Sequence, residues 1–209
     1  MENIDIFYYI NLDHRVDRKE QMEGEFKKVG IPKEKVVRVP GIYTKGFGIL
    51  GCGLSHLKAV ETFLESDHKT CVIFEDDFMF SLDVNYSQYI VRSLFETQIP
   101  YDVVMFGGNV MKSEPTEHHF LKRILDAQTA SSYLLTRDFA PHLVETYKES
   151  TNLLKEHKER TGERKHEYCN DIYWKKLQPI SRWYIVNPKL GYQRESYSDN
   201  EEHVTDYKV

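Results

Sequence analysis

The chain has 209 residues, of which 40% are hydrophobic and 29% are charged, and its formal net charge is -5. This length and composition are typical of one globular domain and exclude a disordered or fibrous chain. The charges of both signs are mixed along the chain without a basic stripe, which argues against a protein that binds nucleic acid.

The first third of the chain alternates strand and helix patterns. Met22, Phe26 and Val29 stand at helical spacing, and the sequence Gly30-Ile31-Pro32 ends that helix. A short continuous apolar run such as 70–74 is typical of a strand that is buried on both faces. The predicted elements are strand 4–12, the helix that ends before Gly30, strand 36–39, a helix that follows the glycine-rich passage 46–53, and strand 70–74.

The rest of the chain continues the alternation less regularly. Strands separated by helices predict βαβ units, so we expect an α/β fold with a mainly parallel, Rossmann-like sheet flanked by helices. Neither a repeat nor a linker is visible, which predicts a single domain over residues 1–209. The remaining predicted elements are helix 85–97, strands 102–106, 121–125 and 131–136, helices 137–150 and 171–177, and a tail or flap from about 187 to 209.

The cysteines and the N-terminus indicate the compartment. Cys52, Cys71 and Cys169 are widely spaced and form neither a CxxC pair nor a zinc-type spacing, which favours a reducing environment. The first residues are acidic and lack the apolar core of a signal peptide. Nowhere does an apolar run approach the roughly 18 residues of a membrane span. We therefore predict a cytoplasmic protein without a membrane span.

Three adjacent carboxylates, Glu75, Asp76 and Asp77, follow the predicted strand 70–74. Ligands of open α/β sheets bind at the carboxyl ends of the strands. Like charges about 4 Å apart repel by roughly 4 kcal/mol at an effective dielectric constant of 20, and Mg²⁺ or Mn²⁺ would reverse that repulsion. The triplet is thus a candidate metal site. The alternatives are a solvated acidic turn and a phosphoacceptor site of the receiver type, whose other acidic and lysine residues are not evident.

Two further segments suit an anionic ligand. Residues 9–18 run from the first strand into the first helix, where Asn11 and Leu12 can offer backbone groups to a base and Arg15 or Arg18 can reach a diphosphate. The alternative is that Asp13 caps the helix and the arginines are solvated. The second segment brings glycines to a predicted helix start, whose N–H groups attract anions. This segment comprises residues 51–56 and includes Ser55 and His56. An alternative interpretation of His56 is a histidine of the core.

The segment 167–174 places the carboxylate of Asp171 among aromatic residues. Burial there would raise the pKa of Asp171 and suit it to accept a proton. An equally good interpretation is an N-cap of the following helix. The polar segment 188–199 is either a frayed tail or a flap that closes over a bound ligand.

Together these segments resemble glycosyltransferase family 25, which contains lipooligosaccharide and collagen galactosyltransferases. The resemblance covers most of the chain, in order, and no single motif carries it. It depends on INLDHRVDR at 10–18, GCGLSH at 51–56, FEDDF at 74–78, TASSYLL at 129–135, Asp171, and the closing residues Pro188, Gln193, Ser198 and Asp199.

The resemblance implies a GT-A fold and transfer of a hexose from a UDP-sugar to an acceptor hydroxyl with inversion. It also implies a divalent cation, typically Mn²⁺, held by Glu75 and Asp77 as a DxD-type pair, with Asp171 as the base. The nucleotide-sugar site would include Gln193 and Ser198 besides the residues already named. The acceptor is left open among a glycan, a lipid-linked sugar and a hydroxylysine-type group, and a further metal ligand at Asp199 or His203 has no support from spacing.

Two departures from the family pattern concern the acceptor and the closing segment. Ile49 stands where the family usually has a glutamate, and Asn200 replaces a usual hydrophobic residue. A catalytically inactive nucleotide-sugar or glycan binding module is the main alternative function. A nucleotidyltransferase ranks last, because the arginine-rich glycine loop common in such enzymes is not evident.

Overall fold

The computed structural model describes residues 1–81, 83–198 and 203–205, with side chains for 1–81 and 83–195. Three short 3₁₀ turns accompany the regular elements. The helices are α1 (Val16–Lys28), α2 (Gly48–Glu65), α3 (Val84–Glu96), α4 (Ala140–Thr161) and α5 (Asn170–Tyr173). The strands are β1 (Ile6–Asn11), β2 (Val36–Pro40), β3 (Thr70–Glu75), β4 (Phe78–Phe80), β5 (Val103–Met105), β6 (Asn109–Pro115), β7 (Leu121–Gln128), β8 (Ser132–Thr136), β9 (Trp183–Val186), β10 (Gly191–Gln193), β11 (Ser196–Ser198) and β12 (His203–Thr205).

An eight-stranded sheet forms the centre of the molecule, in the order β2-β1-β3-β8-β5-β9-β7-β6. β1 pairs parallel with β2 and β3, and β5 pairs parallel with β9. β8 lies antiparallel between β3 and β5, and β7 is antiparallel to β6 and β9. The predicted α/β fold is confirmed, with a mixed sheet in which β7 and β8 run against the other strands.

Helices cover both faces of the sheet, and alternate residues of each central strand enter different cores. On β1, Phe7 packs in the cluster that includes Met22 and Phe26 of α1, whereas Tyr8 packs in the cluster that includes Val60 and Phe63 of α2. β3 divides its residues in the same way. The continuous apolar runs of β1 and β3 are explained by this burial on both faces.

Several element boundaries differ from the predictions. α4 continues to Thr161, beyond the predicted end at 150. The seven-residue strand β6 and the shorter strands β4, β9 and β10 were not predicted. The segment from 187 was expected to be a tail on the surface, and this is wrong for its residues up to β10. Leu190 is completely buried, and β10 pairs antiparallel with β4. Strands of three or four residues carry too little periodicity to be recognised without their pairing partners.

None of the helices in the described ranges combines the length and the apolar character that crossing a membrane requires. The cytoplasmic compartment stays a prediction.

α2 begins at Gly48, within the glycine-rich passage 46–53, so Gly51 and Gly53 lie inside the helix rather than ahead of it. A Cβ atom at Gly51 would lie 2.4 Å from the Ile42 carbonyl oxygen and 2.8 Å from Thr44 Oγ1. Glycine is required there because the loop before α2 packs directly on the helix backbone.

We expect Gly51→Ala to lower the free energy of unfolding by about 1–3 kcal/mol, as overpacking of a tight contact does. Gly24→Ala in α1 is the matched control, because a Cβ there meets nothing within 4 Å and alanine favours a helix over glycine. Chemical denaturation of both variants checks the expectation. Equal stability of the two variants would show that the loop can move away from α2 without cost.

Candidate active site

The candidate site lies at the carboxyl ends of β1 and β3, which are neighbours in the sheet. Asn11 ends β1, Glu75 ends β3, and Asp76 and Asp77 form the turn into β4. They line a first cavity of about 110 Å³. Predicted residues that also line this cavity are Leu12, Arg18, Ser55, His56 and Gln193.

Arg18 compensates two of the three clustered carboxylates. Its Nη1 lies 2.9 Å from Asp76 Oδ1 and 3.2 Å from Asp77 Oδ2, and all three side chains are buried. Asn11 Nδ2 also donates to Asp76 Oδ2 at 2.7 Å. A guanidinium therefore already offsets part of the repulsion within the triplet, at Asp76 and Asp77, without a metal ion.

Other residues of the first predicted segment have structural partners. Arg38 Nε donates to Asn11 Oδ1 at 2.9 Å, so the Asn11 amide is held from both sides. Arg15 pairs with Asp17 at 2.8 Å and is not part of the cavity lining in the described ranges. Asp13 accepts a hydrogen bond from Arg38, and α1 has no side-chain cap, so the prediction that Asp13 caps α1 is wrong. The prediction that the arginines are solvated is wrong for Arg18, which is buried.

Glu75 is the point where three elements meet. His56 Nε2 of α2 lies 3.1 Å from Oε1, and Gln193 Nε2 of β10 donates to Oε2 at 3.0 Å. Burial favours the neutral acid, yet the hydrogen bond and charge of His56 outweigh it and lower the pKa of Glu75. Glu75 is therefore an ionised carboxylate at neutral pH.

The pKa of Asp77 is shifted in the opposite direction from that of Glu75. Burial and the nearby charge of Glu75 raise its pKa to about 7, although Arg18 acts against this shift. Gln193 Nε2 also reaches Asp77 Oδ1 at 3.4 Å. Glu75 Oε2 and Asp77 Oδ1 thus share one amide donor, and a cation there would stabilise the charged form of Asp77.

His56 connects the cavity to the core. Its Nδ1 lies 3.0 Å from the Tyr133 hydroxyl, which lies 3.3 Å from that of Tyr147. His56 is fully buried while its Nε2 faces Glu75, so it is a core histidine that also positions a residue of the cavity. Ser55 has a structural role: its hydroxyl accepts from Ile42 N–H and donates to the Gly51 carbonyl oxygen.

Asp171 lines a second cavity of about 300 Å³, which shares Cys52, Glu75 and Gln193 with the first. Its Oδ2 accepts from Thr129 N–H at 2.9 Å. Thr129 has a φ of 79°, a costly conformation for a β-branched residue. Burial raises the pKa of Asp171. The N-cap of α5 is Cys169, so the interpretation of Asp171 as that cap is wrong.

Cys52 and Asn170 are among the cavity residues for which no role was predicted. Cys52 lines both cavities, and Asn170 lines the second. The sequence carried one usable signal, because Cys52 and His56 are four residues apart and therefore on one helix face. The side chain of Ser198 and all of Asp199 lie outside the described side chains, so their predicted roles stay predictions. The same holds for the side chain of His203.

Residues 41–157 match the family described as "Glycosyltransferase family 25 (LPS biosynthesis protein)". The chain is also 26% identical over 137 residues to a "Glycosyltransferase 25 family member" of Drosophila pseudoobscura pseudoobscura. That similarity covers 53% of this chain and 22% of the relative. The chain thus spans about a fifth of the length of the curated relative that it matches.

Two solved structures resemble the fold. "A197 from STIV" has a TM-score of 0.53 and 13% identity, over 97% of this chain and 94% of that one. A "glycosyltransferase involved in the glycosylation of the major capsid of PBCV-1" has a TM-score of 0.50 and 8% identity, over 88% of this chain and 81% of that one. At these identities the similarity concerns the fold alone, and it confirms the predicted GT-A-like architecture.

Proposed function

Because the chain belongs to glycosyltransferase family 25, we propose that it transfers a hexose of the galactose or glucose type from a UDP-sugar to an acceptor hydroxyl, with inversion and with the assistance of a divalent cation. The observation that carries this proposal is the junction of the two cavities at Glu75 and Gln193. The acidic triplet lies on one side of that junction and Asp171 on the other. A donor and an acceptor can therefore meet there.

The first cavity is the proposed donor site. Arg18 is the described cation closest to the triplet and can contribute to binding of a diphosphate, while Asn11 and Leu12 lie where a base would approach the end of β1. Arg15 would have to leave Asp17 to take part, and Gln193 and Ser198 would close the site from the C-terminal segment. Gln193 supports this role most directly, since it contacts both Glu75 and Asp77.

The carboxylates of Glu75 and Asp77 suit a hard cation such as Mn²⁺ or Mg²⁺ by their chemistry. Their oxygens that share the Gln193 amide are the proposed ligands, whereas Asp76 is held by Arg18 and Asn11 and would position the turn. When bound, such a cation neutralises the charge that develops on the leaving diphosphate.

Asp171 is the proposed base of the reaction. Inversion in one displacement needs a base on the face opposite the diphosphate, and one well-placed carboxylate suffices. Thr129 N–H orients one Asp171 oxygen and leaves the other for an acceptor hydroxyl. The second cavity would admit a glycan, a lipid-linked sugar or a hydroxylysine-type group.

The test is release of UDP from a panel of UDP-sugars, with Mn²⁺ and with EDTA. We expect slow release from one donor that depends on the metal ion, because water can replace the acceptor. The alternative function is an inactive binding module. It is favoured by the ion pairs of Arg18 with Asp76 and Asp77, which offset the charge of these carboxylates without a metal ion. UDP binding that ignores Mn²⁺, together with no release from any donor, would support that alternative.

A further inference from the structure

Cys52, His56 and Glu75 form a compact group at the junction of the two cavities. Cys52 Sγ lies 3.5 Å and His56 Nε2 lies 3.1 Å from the same oxygen, Glu75 Oε1. One potential ligand atom from each residue lies within 4.8 Å of the others. Cys52 and His56 are one turn apart on α2, so a single rigid helix fixes their relative positions.

We propose that these three residues bind one thiophilic divalent cation of the zinc class. Thiolate, imidazole and carboxylate are the ligand types of protein zinc sites, with bond lengths of about 2.3 Å to sulfur and roughly 2.0–2.2 Å to nitrogen and oxygen. In a tetrahedron with these bonds the ligand atoms lie about 3.3–3.6 Å apart. The observed separations of 3.1 and 3.5 Å from Glu75 Oε1 come close to that geometry, and the Cys52 and His56 ligand atoms lie within 4.8 Å of each other.

Tyr133 supports the imidazole ligand from behind. Its hydroxyl lies 3.0 Å from His56 Nδ1, so the ring presents Nε2 to the group. The Tyr133 hydroxyl oxygen can accept a hydrogen bond from Nδ1–H as well as the one that the Tyr147 hydroxyl donates at 3.3 Å. This is the support that metal-bound histidines require from the residue behind them.

Asn170 supports the thiolate ligand. Its Oδ1 lies 3.8 Å from Cys52 Sγ, while its buried Nδ2 has no hydrogen-bond partner among the described residues. Rotating the amide by half a turn exchanges these two atoms. Nδ2 would then donate to a metal-bound thiolate and would no longer be unpaired.

Three protein ligands leave a fourth position for a water molecule or a substrate atom. Cys52 and Glu75 line both cavities, so that position opens to the cleft. The thiolate favours Zn²⁺ over Mn²⁺. This site goes beyond the proposed transferase function, and an ion held there would occupy Glu75 and inhibit any reaction that needs it.

The site is tested by titrating the metal-free full chain with Co²⁺, which reports on ligands through its absorption spectrum. We expect one equivalent to bind with tetrahedral visible bands and a thiolate charge-transfer band, both removed by stoichiometric Zn²⁺. Cys52→Ser should lose the charge-transfer band, whereas Cys71→Ala, at a buried cysteine in β3, should keep it. Asn170→Leu should weaken Zn²⁺ binding by roughly 10- to 100-fold.

Absence of the thiolate band from the wild type, or its persistence in Cys52→Ser, would overturn the proposal. Loss of the band in Cys169→Ala rather than in Cys52→Ser would also overturn the proposal. The thiolate ligand would then be Cys169, whose sulfur lies 3.9 Å from His166 Nδ1. Circular dichroism establishes that each variant is folded. The titration uses neither donor nor acceptor, so its result is independent of whether the chain transfers a sugar.

Discussion

Asp77→Asn should abolish metal-dependent release of UDP and at the same time stabilise the metal-free protein at neutral and higher pH. We expect a loss of about 1,000-fold in turnover, because a catalytic cation contributes several kcal/mol to the stabilisation of the transition state. Asparagine is nearly the same size as aspartate, and its single carbonyl oxygen can still accept from either Arg18 or Gln193. The loss would thus reflect the missing charge rather than a changed shape.

The gain in stability follows from the raised pKa of Asp77. Its pKa is about 7 in the folded chain against an ordinary value of 3.8, so the folded state binds the proton more tightly than the unfolded state. The free energy of unfolding therefore decreases as pH rises between these two values, by about 1.4 kcal/mol for each unit of the difference. Asp77→Asn removes this cost, so its melting temperature should exceed that of the wild type at pH 8 in EDTA.

Thermal melts from pH 4 to pH 8, with EDTA and with Mn²⁺, check both parts of this expectation. Mn²⁺ should stabilise the wild type and leave Asp77→Asn unchanged, since only the carboxylate form binds the cation. Asp67→Asn, at an exposed acid between α2 and β3, is the control and should match the wild type. A variant that melts below the wild type at every pH would show that the Asp77 carboxylate stabilises the fold through Arg18.

Asp171→Asn should abolish sugar transfer while it leaves binding of UDP intact. Removal of a general base costs about 100- to 10,000-fold in rate, and asparagine can still accept from Thr129 N–H through its carbonyl oxygen. The proposed donor site lies in the other cavity, so the dissociation constant for UDP should stay within about twofold. Isothermal titration with UDP and a transfer assay with an identified acceptor measure the two quantities.

The pH dependence of transfer gives a second test of Asp171. Burial raises its pKa, so the rate should fall as the solution is acidified through a value above that of an ordinary aspartate. The residual rate of Asp171→Asn should no longer fall when the solution is acidified through this range. Transfer at the wild-type rate by Asp171→Asn would assign the base to another residue of the second cavity.

The local sequence determined the first βαβ units and the chemistry at their ends. β1, α1, β2 and β3 lie where hydrophobic periodicity placed them, because burial on one or two faces leaves a direct pattern in the chain. The location of Glu75, Asp76 and Asp77 at the end of β3 follows from the same pattern, since the carboxyl ends of neighbouring parallel strands meet at one edge. The family resemblance added Asp171, which local pattern alone could not separate from a helix cap.

Only the tertiary structure decided how distant segments complete the site. The antiparallel insertion of β8 between β3 and β5 depends on backbone hydrogen bonds that any strand can form, so no residue encodes that neighbour relation. In the same way, β10 carries Gln193 to Glu75 and Asp77 through its pairing with β4, although three residues hold no detectable period. The pKa shifts of the triplet could not be predicted from the sequence either. Arg18 and His56 contact these carboxylates only after the chain has folded and excluded water.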